Sequence, residues 1–290
     1  MTDFIAEVCS NHNNDLSRAL TLIDTAKEIG CTGVKFQLFK LDKLYAPEAL
    51  NHPDYQFLQA RRAWELPLEW LPVLANRARQ RGIKFGCTPF YLEAVDELLP
   101  YVDFYKIASY SLLHDDLLVK VAKTGKPVIL STGMATITEI EDAVAMLFKC
   151  QHLTLLHCVS EYPANTGKLN PRFINRLGLL SCSHENVSGV GWSDHTVNPA
   201  VVYYFTLVAS ASMVEFHLDL DGQGVEYGIG HCWLPRQAQV VIQTVREVEA
   251  VHDSGANLSR LFSEAEQKER LWRADPGDGL RPLKEKRGKL

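Results

Sequence analysis

The feature that most constrains this chain is an alternation, sustained from residue 4 to about residue 250, between short β-rich runs and stretches with helical spacing of apolar residues. The runs are FIAEVCS (4 to 10), TGVKFQLF (32 to 39), IKFGCTPF (83 to 90), FYKIASY (104 to 110), PVILSTG (127 to 133), LTLLHCV (153 to 159), VSGVGWSDH (187 to 195) and MVEFHLDL (213 to 220). Each is short, apolar and bounded by turn formers, which is how a buried strand reads. Between the first two, Leu16, Ala19, Leu20, Ile23, Ala26 and Ile29 recur at helical intervals. Asn14 or Asp15 is placed to cap that helix and Gly30 to end it. Similar stripes span 68–81, 91–99, 114–123, 137–148, 171–180, 199–211 and 235–251. Eight strand-then-helix units predict a (β/α)8 TIM barrel over residues 1–260, with a helical or irregular extension over 261–290. An open doubly wound sheet would carry a Gly-rich phosphate turn after its first strand, where this chain reads CSNHNND.

Composition excludes several classes of function. Lys and Arg number 30 against 35 Asp and Glu, a formal net charge of -5, so no field draws the chain to nucleic acid or to an anionic membrane. No apolar run approaches a membrane span, and MTDFIAEVCSNHNN is not a secretory leader, so the expectation is a cytoplasmic protein. The seven cysteines (9, 31, 87, 150, 158, 182 and 232) form no CxxC pair, and most read as small core residues. The segment 41–67 is too long for a simple connection and reads as an active-site loop or lid.

In such a barrel the active site lies at the C-terminal ends of the strands. Every predicted strand ends in polar or ionisable residues, among them Glu7, Lys35, Gln37, Thr88, Lys106, Ser109, Ser131, His157, Ser160, Tyr162, Ser193, His195, Glu215 and His217. His195 and His217 end neighbouring strands about 4.8 Å apart, so both imidazoles can reach one divalent cation; two histidines hydrogen-bonded in a polar layer is the alternative. With so few imidazoles, a labile Mn, Mg, Fe or Co site fits better than a closed structural zinc site. Lys35 and Lys106 sit among apolar neighbours, and each calls for an anionic partner or a Schiff base; pairing with Glu7 or Asp103 is the alternative. Two such lysines with nearby hydroxyls suit a phosphate or carboxylate of a small substrate. His12, His114, His184 and His252 read as surface residues, and His157 equally as a core histidine.

The motifs AEVCSNHNND, GVKFQL, CTPF, YKIAS, PVILSTGM, LLHCVSEYP, GWSDHT and EFHLDLD resemble, in order and spacing, the catalytic barrel of the N-acetylneuraminate (sialic acid) synthase family over about residues 3 to 250. The resemblance implies condensation of phosphoenolpyruvate with an N-acyl hexosamine, or a related aldose, to a 3-deoxy-ulosonic acid and phosphate. It implies a divalent metal, usually Mn, and a homodimer. Carried over residue by residue, the metal ligands fall on His195 and His217, and the phosphoenolpyruvate contacts on Lys35, Thr88, Lys106, Ser109, Ser160 and Ser193. Sugar contacts fall on Gln37, Tyr162, Asn51 and Asp221, and the acidic residue ending the first strand is Glu7.

The chain departs from the family pattern in three places. Ser111 stands in KIASYSL where the family commonly has a glutamate, so Glu7, Glu161 or Glu226 would have to supply that carboxylate. The sequence stops at Leu290, without the C-terminal antifreeze-like domain of characterised members, and Arg281 is the candidate replacement for the arginine that domain offers. The segment DGQGVEYGIGHCW (221 to 233) differs from the family's Gly-Pro-Asp-His-like stretch. Two competing expectations are a Schiff-base aldolase acting through Lys106 and a degenerate barrel that only binds an acidic sugar.

Overall fold

The computed structural model describes residues 1–254 and 262–289. All eight expected runs contain a strand: β1 (Asp3–Glu7), β2 (Gly33–Leu38), β3 (Lys84–Pro89), β4 (Phe104–Ile107), β5 (Val128–Ser131), β6 (Leu153–Cys158), β7 (Val187–Asp194) and β8 (Met213–Leu218). Each pairs in parallel with the next, and β8 pairs back onto β1, which closes a (β/α)8 barrel. A ninth strand of two residues, β9 (Cys232–Trp233), adds to β8 with His217 opposite Cys232. Two residues carry no periodicity, so the sequence does not announce it.

The helices follow the predicted stripes, with local corrections. Asp15, and not Asn14, caps the helix Leu16–Glu28, its carboxylate accepting from the Ser17 and Arg18 amides. Thr136 and Glu139 form a reciprocal capping box at the start of Ile137–Met146. The stripe at 199–211 gives an α-helix only over Pro199–Tyr203, followed by a π-helical turn over Tyr204–Val208. The insertion at 41–67 folds as short turns, Leu41–Leu44, Pro47–Leu50 and the 3-10 stretch Pro53–Trp64. Among the described residues no helix is long and apolar enough to cross a membrane.

The chain divides into two compact units, Met1–Val248 and Glu249–Leu290. The expected boundary at 260 and 261 lies outside the described residues. The second unit holds the helices Glu264–Arg270 and Lys284–Arg287, with Arg287 paired to Asp278, and it contains Arg281.

Inside the barrel Ile5, Phe104, Ile129 and Leu156, with Met213 against them, form a small apolar plug. The plug is tight because neighbouring strands contribute no side chain there. A Cβ on Gly86 would fall 2.2 Å from the Phe104 ring, and one on Gly191 would fall 2.2 Å from the Met213 carbonyl oxygen. A larger core packs the outside of the sheet against the helices through residues such as Leu22, Leu74, Val95, Leu118 and Val144. Each such buried side chain contributes about 1.5 to 3 kcal/mol. A strand returns to the same face every second residue. Two positions beyond the plug, the interior therefore presents Glu7, Lys106, Ser131, Cys158 and Glu215. Two positions beyond Gly33, Gly86 and Gly191 stand Lys35, Thr88 and Ser193. The plug is the floor, and the polar tier above it is the site.

Candidate active site

A cavity of about 1040 Å³ opens above that tier. Its wall includes Glu7, Lys35, Gln37, Thr88, Lys106, Ser109, Ser131, Tyr162, Ser193, His195, Glu215 and His217. Lys43, Tyr45, Arg61 and Trp64 of the 41–67 insertion border it as well.

One side of the cavity is built from charge. Lys35 and Glu7 are register partners on β2 and β1, and their charged ends meet in a buried ion pair. Glu7 also accepts from the Cys9 amide (2.7 Å) and from Gln37 Nε2 (3.2 Å). Glu215 on β8 stands between the two lysines, 3.7 Å from Lys35 Nζ and 3.4 Å from Lys106 Nζ. Ser193 donates to the same carboxylate at 3.0 Å, and Lys106 donates to Ser131 at 2.7 Å. Burial opposes ionisation of Glu215, but the Lys106 and Lys35 ammoniums outweigh it and hold the carboxyl down at about 2. Burial also pulls Lys35 down to about 8 against the pull of Glu215. Two cations thus lie in a dry wall with hydroxyl donors beside them, an arrangement that receives an anion.

The other side is built from imidazoles. His195 Nδ1 faces the Val159 carbonyl at 2.9 Å; a carbonyl only accepts, so in the neutral ring Nδ1 carries the proton and Nε2 keeps its lone pair. The His195 and His217 ring centroids are 5.3 Å apart, and His231 stands 4.4 Å from His217 and 6.2 Å from His195. The Nδ1 atoms of His217 and His231 are buried without a hydrogen-bond partner. Glu226 Oε2 faces His217 Nδ1 at 3.5 Å and His231 Nε2 at 3.6 Å. Burial, with His231 and His195 alongside, lowers His217 to about 3. Burial alone would push the Cys158 thiol up; the adjacent His195 ring outweighs it and brings the thiol below its ordinary value, while His195 is raised against its own burial. Tyr162 covers the His195 ring at 4.1 Å between centroids.

The first turn of the chain holds this side in place. Asn11 donates to the Leu218 carbonyl and accepts from the Glu226 amide, and Asn13 donates to the Gln223 carbonyl and accepts from the Val225 amide. The loop after β8 is therefore moulded onto the loop after β1.

Most of the predicted site residues converge, and several do not. Ser160 is not among the lining residues; its buried, unpartnered hydroxyl lies where a Cβ on Gly133 would fall, beside Ser109. Asp221 is turned to the Arg18 guanidinium at 2.8 Å, because Arg18 bridges it to buried Asp219, and it does not line the cavity. Asn51 is exposed at the end of a short helix and lies outside the wall. Of the candidate replacement carboxylates, Glu7 and Glu226 line the cavity, whereas exposed Glu161 caps the Asn165 amide. Ser111 lines the cavity from the 3-10 turn Ser109–Ser111.

His12 is buried against Phe36 and Trp70, contrary to its polar surroundings in sequence, with Nδ1 accepting from Asn14. His114 borders the cavity, whereas His157 is a core histidine bound to the Leu169 carbonyl and packed on Phe173 and Trp192. Six of the seven cysteines are buried as expected, and Cys182 is exposed. The sequence reading missed His231 altogether and did not weigh Glu215 as a partner of the lysines.

The description "NeuB family" fits residues 22–257 of this chain. The N,N'-diacetyllegionaminic acid synthase of Campylobacter jejuni is 32% identical over 280 residues, 92% of this chain and 81% of that protein. The pseudaminic acid synthase of Helicobacter pylori is 34% identical over 75% of this chain and 65% of its own length. Among solved structures, the N-acetylneuraminic acid (sialic acid) synthetase of Leptospira borgpetersenii, in complex with citrate, superposes with a TM-score of 0.76 at 27% identity, covering 92% of this chain and 90% of that one. A truncated 3-deoxy-D-arabino-heptulosonate 7-phosphate synthase from Thermotoga maritima shares the fold, with a TM-score of 0.62 at 14% identity over 87% of each chain. A match spanning most of the barrel, joined to strand ends that present lysines on one side and imidazoles on the other, decides the assignment: the chain belongs to the NeuB family.

Proposed function

We propose that this protein condenses phosphoenolpyruvate with the open-chain aldehyde of an N-acyl hexosamine, or a related aldose, to form a 3-deoxy-ulosonic acid and release phosphate. The observation that carries the reading is the division of one cavity into a buried two-lysine wall and a facing cluster of imidazoles. Lys35 and Lys106 receive the carboxylate and phosphate of phosphoenolpyruvate, with Thr88, Ser109 and Ser193 orienting them. Gln37 and Tyr162 border the space left for the acceptor. C3 of the enol forms the bond to the aldehyde carbon, water adds at C2, and the bond from C2 to the phosphate oxygen breaks. Glu7 and Glu226, which line the cavity, are the carboxylates proposed to manage the proton of that water.

His195 and His217 would hold a divalent cation, Mn2+ in the first instance, with Mg2+, Co2+ or Fe2+ also suited to imidazole ligands. The donor set fits one: His195 Nε2 is left as an acceptor by the Val159 carbonyl, and the His217 and His231 Nδ1 atoms lack partners. When bound, it supplies electrophilic polarisation of the acceptor's aldehyde oxygen.

A Schiff base at Lys106 is disfavoured because its nitrogen is already engaged by Glu215, Ser131 and the Ile107 carbonyl. The seven free cysteines suit a reducing cytoplasm. A homodimer is proposed from the family resemblance, with solution mass as its check. The experiment that tests the function is phosphate release from phosphoenolpyruvate with Mn2+ over a panel of N-acyl hexosamines, hexoses and pentoses, with mass analysis of the 2-oxo acid. No release with any acceptor, together with pyruvate trapped on the protein by borohydride, would reject the proposal in favour of an aldolase.

A further inference from the structure

The imidazole side of the cavity contains a sulfur that the proposed reaction does not use. Cys9 follows β1 by two residues, lines the cavity and is 7% exposed. Its backbone is left-handed, φ 50°, a conformation an L residue with a side chain keeps only when its surroundings hold it there. Part of that hold is the Cys9 amide bond to Glu7 at 2.7 Å. The thiol donates to Glu226 Oε1 at 2.7 Å. The other oxygen of the same carboxylate faces the two imidazoles, and Cys9 Sγ, a ring nitrogen of His217 and a Glu226 oxygen all lie within 4.8 Å of one another.

Two observations separate this cluster from ordinary packing. His231 Nδ1 is buried with no hydrogen-bond partner, and His217 Nδ1, buried too, has only the Glu226 carboxylate at 3.5 Å in front of it, a poorly satisfied pair unless something occupies the space between them. The 3.5 and 3.6 Å separations from Glu226 Oε2 to the imidazole nitrogens are also informative. Ligand atoms on a tetrahedral cation with bonds of about 2.1 Å stand about 3.4 Å apart. His217 Nδ1 and Glu226 Oε2 are thus already spaced as ligands, and the thiol hydrogen is the group a cation would replace.

Resting on the reading that His217 helps to hold a divalent cation, we propose that Cys9 joins it as a thiolate ligand beside Glu226, so that the centre is a mixed sulfur, nitrogen and oxygen site. On binding, the sulfur–metal bond forms as the S–H bond breaks, and the proton passes to solvent. Thiolate ligation shifts preference from Mn2+ and Mg2+, which suit oxygen donors, towards Zn2+ or Co2+.

Cobalt titration of the metal-free protein tests this directly. One Co2+ is expected to bind with a near-ultraviolet thiolate-to-cobalt charge-transfer band. Cys9→Ser should bind cobalt without that band and lose Zn2+ affinity by no less than about the tenfold to hundredfold typical of a lost outer-shell partner. Cys158→Ser and Cys232→Ser should keep the band. A band that survives in Cys9→Ser overturns the proposal, because another thiol then makes the bond. Cobalt binding without any such band in the unmodified protein overturns Cys9 ligation while leaving the imidazole-held cation intact. No cobalt binding at all removes the cation and this proposal with it. Should Cys9→Ser not fold, alkylation of the unmodified protein decides: Zn2+ should protect the Cys9 peptide from iodoacetamide, and equal labelling with and without Zn2+ refutes the ligation.

Discussion

Glu215 Oε1 lies 3.4 Å from Lys106 Nζ while its other oxygen lies 3.7 Å from Lys35 Nζ, so one buried carboxylate from β8 bridges two ammoniums from β4 and β2, the second of which, Lys35, is also paired with Glu7. In the proposed reaction an arriving dianion would compete with that carboxylate for the same two cations, and Glu215 would serve as its internal stand-in in the ligand-free site.

Removing it leaves two buried cations short of a partner. Glu215→Gln should lower unfolding stability by about 3 to 5 kcal/mol, the range for breaking a buried ion pair. Excess phosphoenolpyruvate should restore part of the loss, since a ligand that binds only the folded state stabilises it. Denaturant titrations with and without the ligand check both halves; a variant as stable as the parent would mean that Lys35 needs only Glu7.

Each lysine is expected to matter for anion capture. Lys35→Ala and Lys106→Ala should raise the phosphoenolpyruvate dissociation constant by roughly tenfold to hundredfold, as the loss of a charge-assisted hydrogen bond worth about 1.5 to 3 kcal/mol requires. Calorimetric binding that is unchanged in the double variant would show that this wall does not receive the ligand.

Lys35 also sets a pH dependence. Its ammonium titrates near 8 in the folded chain, against 10.5 ordinarily, chiefly because it is buried. Phosphoenolpyruvate affinity should therefore fall as pH rises through about 8. The stability contribution runs the other way: between about 8 and 10.5 the unfolded chain binds more protons at this group, so unfolding becomes harder as pH rises. Both trends should vanish in Lys35→Gln. If affinity stays flat from pH 7 to 9, Lys35 is not the titrating group.

His195→Ala and His217→Ala are expected to stay folded, because both rings face the cavity and lie outside the apolar core. Each should bind less than one divalent ion per chain, measured by elemental analysis beside circular dichroism. Full stoichiometry in both variants would assign the cation elsewhere.

Much of this site was legible because a strand repeats every two residues. Once Lys106 in FYKIASY and Ser193 in GWSDH were placed on strands, their convergence followed from the barrel alone, and so did the neighbouring ends that carry His195 and His217. Glu215 was visible as a residue but not as a partner, since register across the closure between β8 and β1 cannot be read along the chain. His231 was hidden for a different reason, and Glu226 was visible as a candidate carboxylate without its imidazole partners. They lie in an irregular loop that reaches the cavity through a two-residue strand and through bonds to Asn11 and Asn13, none of which has a periodic signal. His12 was misread because its polar neighbours conceal the Phe36 and Trp70 rings it packs against.

The last expectation concerns Ser111, which borders the cavity where the family pattern has a carboxylate. The cavity already holds Glu7 and Glu226, with Glu215 committed to the lysines. If one of the first two performs the proton transfer, Glu7→Gln or Glu226→Gln should cost about 10²-fold to 10⁴-fold in turnover. In that case Ser111→Glu adds a further negative charge to a cavity that already holds these three carboxylates and is proposed to receive an anion, and it narrows the space above the 3-10 turn that presents it. Turnover and phosphoenolpyruvate affinity should both fall. A gain in condensation would instead mean that the native site lacks a base which the restored glutamate supplies. Unchanged kinetics with every acceptor would place Ser111 away from the reacting carbons, even though it borders the cavity. A steady-state comparison of the parent, Ser111→Glu and Ser111→Gln separates these outcomes, because glutamine reproduces the size of the added group without its charge. Loss in both variants points to exclusion of the acceptor, and loss in Ser111→Glu alone points to repulsion of the phosphoenolpyruvate dianion.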